Sequence, residues 1–235
     1  MAPSVQADAG KRIAIIIPVR NEESLVVTAL KRLQPLRERG VEVIVVDGQS
    51  SDATVLLATP LADRVIDCES GRAMQMNNGA AESSADWLVF LHCDTSLPEN
   101  FPEALLVATK ASEGAAWGFF PVRLSGRDWR FRVIGRFMNL RSRLSSIGTG
   151  DQVIFVHREL FEGQQGFADL PLMEDVELCS RLRRQARAII PKSVVITSSR
   201  RWEQRGILRT VLLMWLLRLA WFSGVSASRI ERWYR

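Results

Sequence analysis

The stretch WLVFLHCDT, residues 87–95, is an apolar run that ends abruptly in His92, Cys93 and Asp94. A buried strand that delivers a carboxylate to its carboxyl end is the place where open α/β sheets put their ligand chemistry. The same event occurs earlier, where VEVIVVDGQSSDAT, residues 41–54, runs an apolar strand into Asp47. Both runs are followed by helix-start residues. The two aspartates are therefore expected at one cleft, a pattern that favours a nucleotide together with a divalent cation.

Around these strands the first half alternates strand and helix. Residues 13–19 form a continuous apolar run with Pro18 near its end, which reads as a buried parallel strand. Asn21 is the expected N-cap of a helix over 22–39, with Gly40 as its stop. A short helix capped by Ser51 or Asp52 follows the strand at 41–47 and reaches Thr59. A weaker strand is expected at 63–68, a helix over 72–84 and a strand over 86–92. Such repeated βα units imply right-handed crossovers, and so a parallel sheet with helices on both faces. Past about residue 112 the pattern changes to a strand over 115–124, a basic helix over 129–144 and a strand over 152–156. A helix over 173–185, a strand over 193–197 and a helical tail from 201 complete it. With no repeat or low-complexity linker, the chain reads as a single domain over 1–235. Its parts are a flexible tail (1–11), a nucleotide-binding half (12–112), an acceptor and catalytic half (113–200) and C-terminal helices (201–235).

The 235 residues are enough to bury a full core, and 47% apolar with 24% charged is ordinary for a globular protein. Cys68, Cys93 and Cys179 are odd in number and widely spaced, which fits neither a disulfide framework nor a zinc pattern, and suits a reducing compartment. The N-terminal MAPSVQADAGKR lacks the layout of a signal peptide. The expected location is cytoplasmic, with membrane association as an option. Net charge is +5 but is unevenly spread: residues 1–122 carry −6 and residues 123–235 carry +11. The basic half reads as solvated helix faces or as a surface for phosphates, anionic lipid or an acidic acceptor. No readout motif points to nucleic acid. The segment GILRTVLLMWLLRLAWFSG, residues 206–224, is too short and too charged to span a bilayer, which takes about 20 apolar residues. Core packing, a homodimer contact and peripheral membrane contact all remain open for it.

The ordered set IPVRNEE, VVDGQSSDAT, GRAMQMNNGA, FLHCDT, GTGDQVIFV and MEDVELCSRL resembles the family 2 glycosyltransferases, over roughly residues 12–202. In detail it is most similar to a bacterial subgroup of radical-SAM/selenodomain-associated transferases. The resemblance implies a GT-A fold: α/β, with a mostly parallel central sheet flanked by helices and a helical C-terminal tail. It also implies an inverting transfer from a nucleotide-sugar donor, with Mn²⁺ or Mg²⁺ as cofactor.

The resemblance assigns roles residue by residue. Pro18, Arg20 and Glu22 would meet the nucleoside, although Glu22 equally suits a first helical turn. Asp47 would accept a hydrogen bond from a uracil N–H, with Gly48 and Ser50 in its turn, unless it only bonds its own backbone. Gly71, Arg72, Asn77 and Gly79 match the element flanking the sugar and diphosphate, where Arg72 would pair with a phosphate or else form a surface ion pair. Gln75 and Met76 depart from the commoner pattern before Asn77. His92 and Asp94 occupy the DXD position and share one side of the strand by alternation, while Cys93 points the other way. Asp94 is the expected metal ligand, with His92 as a further candidate or a core histidine. Asp151 and Gln152, after Gly150, would meet the acceptor or donor sugar. Asp175 is the expected general base and Glu174 its orienting neighbour, though acidic residues also favour any helix start. Arg200, Arg201 and Trp202 resemble the QxxRW motif of processive relatives, but Ser198 replaces its glutamine; Arg201 would reach the diphosphate and Trp202 would stack on the acceptor or sugar, unless both only pack the C-terminal helices.

The expectation is thus a metal-dependent inverting glycosyltransferase with a UDP-sugar donor and an unidentified acceptor, small or lipid-linked. The alternatives are a membrane-surface polyprenyl-phosphate glycosyltransferase and a non-catalytic nucleotide-sugar-binding relative. A sugar-phosphate nucleotidyltransferase would need a glycine-rich basic loop after the first strand, and PVRNEE is not one.

Overall fold

The structure is a computed structural model that describes residues 12–110 and 116–234. Strands β1 (Ile13–Val19), β2 (Glu42–Asp47), β3 (Arg64–Asp67) and β4 (Trp87–Phe90) pair in parallel in the order β3-β2-β1-β4. Beyond β4 the sheet continues through β8 (Ile154–His157) to β6 (Trp117–Phe119), with β8 antiparallel to both neighbours. A second sheet orders β5 (Thr95–Ser96), β9 (Val195–Thr197) and β7 (Val122–Leu124).

The strands read as unbroken apolar runs because both faces of the large sheet are covered. Ile15, Ile17, Val43, Val45, Trp87 and Val89 enter one apolar layer, with Val26, Leu30 and Leu33 of α1 (Glu23–Arg37), Ala58 of α2 (Thr54–Ala58) and Phe101 and Leu105 of α4 (Phe101–Thr109). Their alternates Ile16, Ile44, Val46, Leu88 and Phe90 enter the other. There they meet Met76 of α3 (Arg72–Glu82), Leu160 of α6 (Arg158–Gly163) and Leu178 of α7 (Glu174–Gln185). Gly79 belongs to this packing and not to a ligand surface: a Cβ there would stand 2.5 Å from Ile16 Cγ2. The basic helix α5 (Trp129–Ser145) packs on β7, and α8 (Arg200–Arg205), α9 (Ile207–Phe222) and α10 (Ala227–Tyr234) form the helical tail.

Three expectations change. The strand expected over 115–124 is two strands in different sheets, with Ala115 outside the described residues. Pro121 lacks the N–H a ladder needs, so the chain crosses over: Phe120 N donates to Gln152 O (2.7 Å) while Pro121 O accepts from Val195 N (2.9 Å). The strand expected from 152 begins at Ile154, because Gly150–Gln152 form a 3₁₀ turn and Val153 takes a φ of 50°. Asn21, at φ 53°, does not cap its helix by its side chain; its Oδ1 instead accepts from Ser51 N at 2.8 Å. The tail expected over 1–11, and the division expected at 112/113, lie outside the described residues.

Candidate functional site

Parallel pairing brings the carboxyl ends of β1, β2 and β4 to one edge of the sheet, and there the loops interlock. Asn21 N donates to Ser50 Oγ (2.8 Å), Glu22 N to Thr54 Oγ1 (2.8 Å) and Glu23 N to Asp52 Oδ2 (3.2 Å). Asp47, buried at the end of β2, accepts from both the N–H and the hydroxyl of Ser50, so its carboxylate is held in a closed turn. Pro18 is half-buried at the end of β1, and Arg20 is exposed and donates to Ser70 Oγ at 2.7 Å. Burial raises the Glu22 carboxyl above its ordinary value; Arg200 and Arg72 pull it back, and Asp94 and Asp52 add to the rise. Glu22 therefore lies in the same field as Asp94.

Gln75, an apparent departure from pattern, is the buried bracket of this edge. Its Nε2 donates to Val19 O (2.8 Å) and Val46 O (2.7 Å), joining the ends of β1 and β2 to α3. Gly48 leaves the room it needs, since a Cβ there would lie 2.9 Å from Gln75 Cδ. Asn77 uses both ends of its amide on Phe167, accepting from its N–H and donating to its carbonyl at 2.9 Å each, and so positions the segment before α7. Gly71 precedes α3 in extended backbone, and Arg72 opens that helix. Arg72 is an exposed residue whose charge lies among the site's carboxylates. Burial opposes its charge, yet the carboxylates of Glu174, Asp175 and Asp151 and the Tyr234 phenol outweigh that and raise its pKa.

His92, Asp94 and Asp151 form a three-residue cluster whose candidate ligand atoms all lie within 4.8 Å of one another. His92 Nδ1 is 3.9 Å from Asp151 Oδ1. Burial first, then Arg72, depress the imidazole pKa to about 4, against the pull of Asp94 and Asp175. At neutral pH His92 is therefore uncharged and keeps a lone pair, the form in which histidine binds a cation. A neutral imidazole and two carboxylates are a donor set that suits Mn²⁺ and, with fewer protein ligands used, Mg²⁺. Gly150 lies flat on the imidazole, where a Cβ would stand 2.1 Å from Cε1. The cluster lies between the two sheets: His92 and Asp94 lead from β4 into β5, and Asp151, just ahead of β8, makes a long 3.5 Å contact with Thr197 Oγ1 of β9, which accepts from Thr95 Oγ1 (2.9 Å) within the small sheet. Cys93 turns away into the apolar layer, as expected, though from a turn past the end of β4 and not from strand alternation.

Asp175 opens α7 across the turn from this cluster, with Oδ2 accepting from Gly150 N at 2.9 Å and Oδ1 from Val176 N at 2.7 Å. Glu174 is buried beside it; burial and the Asp175 charge push its carboxyl up to about 7, Arg72 opposing. Met173 enters the helix at φ 70°. With Asn21, Gln49 and Val153 it places left-handed non-glycine backbone around the site, a conformation that persists only where the surroundings enforce it.

Gln152 is buried with Oε1 accepting from Ser142 Oγ at 2.6 Å. Arg201 is close enough to His92 to lower its pKa, and its guanidinium lies 5.3 Å from the Tyr234 ring centroid. Trp202 stands apart, lining a hollow with Arg127, Arg130 and Phe131 that none of the site's carboxylates enters. The sequence reading passed over Thr95, Thr197, Arg141, Arg218 and Tyr234. The threonine pair is 102 residues apart in the chain, and no local signal announces it.

The family model described as "Glycosyl transferase family 2" matches residues 14–162. No curated protein matches the chain. Among solved structures the chain is similar to the mannosyltransferase PcManGT from Pyrobaculum calidifontis, in complex with GDP-Man and Mn²⁺. There the identity is 22% over 89% of this chain and 61% of that one, with a TM-score of 0.63. It is similar to glucosyl-3-phosphoglycerate synthase from Mycobacterium tuberculosis, in complex with Mn²⁺ and UDP-glucose, at 22% over 81% and 70% and a TM-score of 0.60. It is also similar to S. aureus TarS 1–349 in complex with UDP, at 14% over 80% and 60% and a TM-score of 0.62. The chain spans less than two thirds of the length of the mannosyltransferase and of TarS. At these identities the likeness is one of fold, and the mostly parallel, helix-flanked sheet is the GT-A arrangement.

Proposed function

Because the chain belongs to glycosyl transferase family 2, we propose that it moves a sugar from a UDP-sugar to an acceptor hydroxyl by one direct displacement with inversion. The observation that carries this reading is the His92, Asp94 and Asp151 cluster facing Asp175 across the Gly150 turn. The neighbours with nucleotide sugars and Mn²⁺ support it by analogy. The chain then works as one domain, with the donor on the side of residues 12–112 and the acceptor on the side of 113–200. Its motifs are most similar to those of the radical-SAM/selenodomain-associated subgroup.

Asp47 and Glu22 face the nucleoside, and Arg72 stands over the diphosphate. His92, Asp94 and Asp151 would hold the cation, which extends the expected metal set by Asp151. Bound there, it would supply positive charge to offset the negative charge building on the departing diphosphate. Asp175 takes the acceptor proton, its carboxylate aimed by the Gly150 N–H. Glu174 keeps its own proton up to about pH 7. A neutral Glu174 then stands beside Asp175 as its orienting neighbour and not as a second base.

The test is thermal unfolding against UDP, GDP, CDP and ADP, each with Mn²⁺, Mg²⁺ or EDTA, followed by a transfer assay on Asp175→Asn. UDP with metal at 100 times Kd should stabilise by about 2.7 kcal/mol. Asp94→Ala should abolish that gain and Asp151→Asn reduce it. Asp175→Asn should slow transfer by about 10² to 10⁴ with the UDP response kept. No response to any nucleotide, or equal transfer by Asp175→Asn, overturns the reading.

A second reading, action at a membrane surface, is favoured by two exposed apolar stripes. Trp129, Val133, Phe137, Leu140 and Leu144 line one side of α5; Leu208, Leu212, Trp215, Leu219 and Phe222 line one side of α9. Arginines flank both, as in helices that lie on anionic bilayers. Among the described residues no helix is long and apolar enough to cross a membrane. Deleting the tail would remove the buried Leu217 and Ile230, so the sound variant is Trp215→Ser with Leu219→Gln. Loss of flotation with anionic vesicles in that variant supports this reading; wild-type protein that ignores vesicles refutes it.

A further inference from the structure

Arg141 in α5 and Arg218 in α9 are not solvated surface arginines. Arg141 Nε and Arg218 Nη1 are closed to solvent and have no hydrogen-bond partner among the described residues. Among the described residues neither guanidinium forms an ion pair. What Arg141 does make is one long contact, Nη2 to Ser142 Oγ at 3.4 Å. Two further buried groups on the turn that follows α5 also lack partners among the described residues, Gln152 Nε2 and Thr149 Oγ1. Ser142 occupies Gln152 Oε1 and so leaves the amide N–H₂ as the free end. Both threonine and glutamine belong to the turn whose Gly150 N–H aims Asp175.

The electrostatics agree. Burial and then the Arg218 charge depress Arg141 to about 10, partly offset by Asp175 and Asp151. Burial likewise lowers Arg218, with Asp175 opposing. Two cations thus feel one another and the charge of Asp175, whose oxygens are already occupied by backbone N–H groups. Leaving buried donors unpaired is costly, and a fold retains them only with compensation. Four donor groups, two of them cationic, match a phosphate better than a carboxylate, because phosphate offers more oxygens and a second charge.

We infer that Arg141, Arg218, Gln152 and Thr149 form an oxyanion subsite that holds a phosphate group of the acceptor beside Asp175. This rests on the glycosyl-transfer reading of the site and names the acceptor's chemical class. The phosphate anchors the acceptor; its hydroxyl is the group that Asp175 deprotonates.

Inorganic phosphate is the probe, titrated calorimetrically with UDP and Mg²⁺ present so that the donor side is filled. The proteins are wild type, Arg141→Gln, Arg218→Gln, and Arg143→Gln as an exposed control on the same helix. Wild type and the control should bind phosphate alike, and each of the other two roughly ten- to a hundredfold more weakly. Without phosphate, Arg141→Gln and Arg218→Gln should unfold no earlier than wild type, since an unpaired buried charge has been removed. Variants that unfold earlier, with phosphate leaving the wild type unmoved, would mean the arginines merely balance Asp175 and Asp151, and would overturn the subsite. UDP binding is measured in the same samples. Its failure in wild type sinks the donor reading, whereas its retention with no phosphate binding sinks the subsite alone. Vesicles of phosphatidylcholine with and without phosphatidic acid identify the source. Flotation with phosphatidic acid that inorganic phosphate competes away assigns a lipid phosphate; phosphate binding without flotation assigns a small phosphorylated acceptor.

Discussion

Replacing Gly150 by alanine tests the site's geometry at its tightest point. The added methyl would stand 2.1 Å from His92 Cε1 and 2.3 Å from Nε2, where ordinary contact begins at 3.4 Å. The imidazole must therefore retreat by about 1.3 Å, or the turn must lift by as much, because packed interiors leave no slack. Overpacking of this kind costs about 1–3 kcal/mol of folding stability. The functional cost is larger. Asp151 is the next residue, and the Gly150 N–H holds Asp175, so one methyl would disturb the proposed cation site and the proposed base together. A misplacement near 1 Å costs on the order of 10²-fold in a positioned site. The assay is UDP affinity with Mn²⁺ beside urea unfolding, for Gly150→Ala, His92→Ala and the double variant. In the double variant the clash is gone, so its stability should return to within about 0.5 kcal/mol of His92→Ala alone. Gly150→Ala with wild-type stability and wild-type Mn²⁺-dependent UDP affinity would refute the contact.

Gln75→Leu strips the donor from Val19 O and Val46 O and should cost about 2–3 kcal/mol, read as a lower urea midpoint; an unchanged midpoint would show that water replaces the amide. The raised carboxyl of Glu174 makes the native state hold a proton that the unfolded chain releases above 4.5, so its contribution to stability falls as pH rises from 4.5 to about 7. The slope is at most about 1.4 kcal/mol per pH unit. His92 contributes in the opposite sense, its penalty growing as pH falls from 6.5 towards about 4. Comparing wild type with Glu174→Gln isolates the glutamate: the variant should lose less stability between pH 5 and 8, and equal losses would contradict the burial of that charge. Asn77→Ala frees Phe167 from two hydrogen bonds, and faster proteolysis within residues 164–173 is the expected result.

Legibility in the sequence followed burial. β1, β2 and β4 were readable because both of their faces are covered, which makes them unbroken apolar runs. The helix carrying Glu174 and Asp175 was readable from its acidic start. The crossing at Phe120 and Pro121 was not, since the apolar run gives no sign that it serves two sheets. Nor was β5, whose two residues are too few for any periodicity. Among site residues, His92 and Asp94 were readable as the polar end of the apolar run, although both lie in the turn past the end of β4 at Phe90, beyond the strand expected over 86–92. Their meeting with Asp151 depends on a fold that joins distant segments. Arg141 and Arg218 sit among arginines that look identical in the chain, and only burial separates them from their exposed neighbours.

The His92, Asp94 and Asp151 cluster sits where the chain passes between the two sheets, which would make a cation bound there part of a mechanical joint. Asp94 leads directly into β5 and Asp151 leans on Thr197 of β9, from which the chain enters the helical tail. A cation held by both aspartates would clasp the large sheet to the small one, and the small one to the tail. Linkage is reciprocal for binding free energies. Whatever seats the tail and steadies β9 must then tighten the grip on the cation by the same factor by which the cation favours that seating.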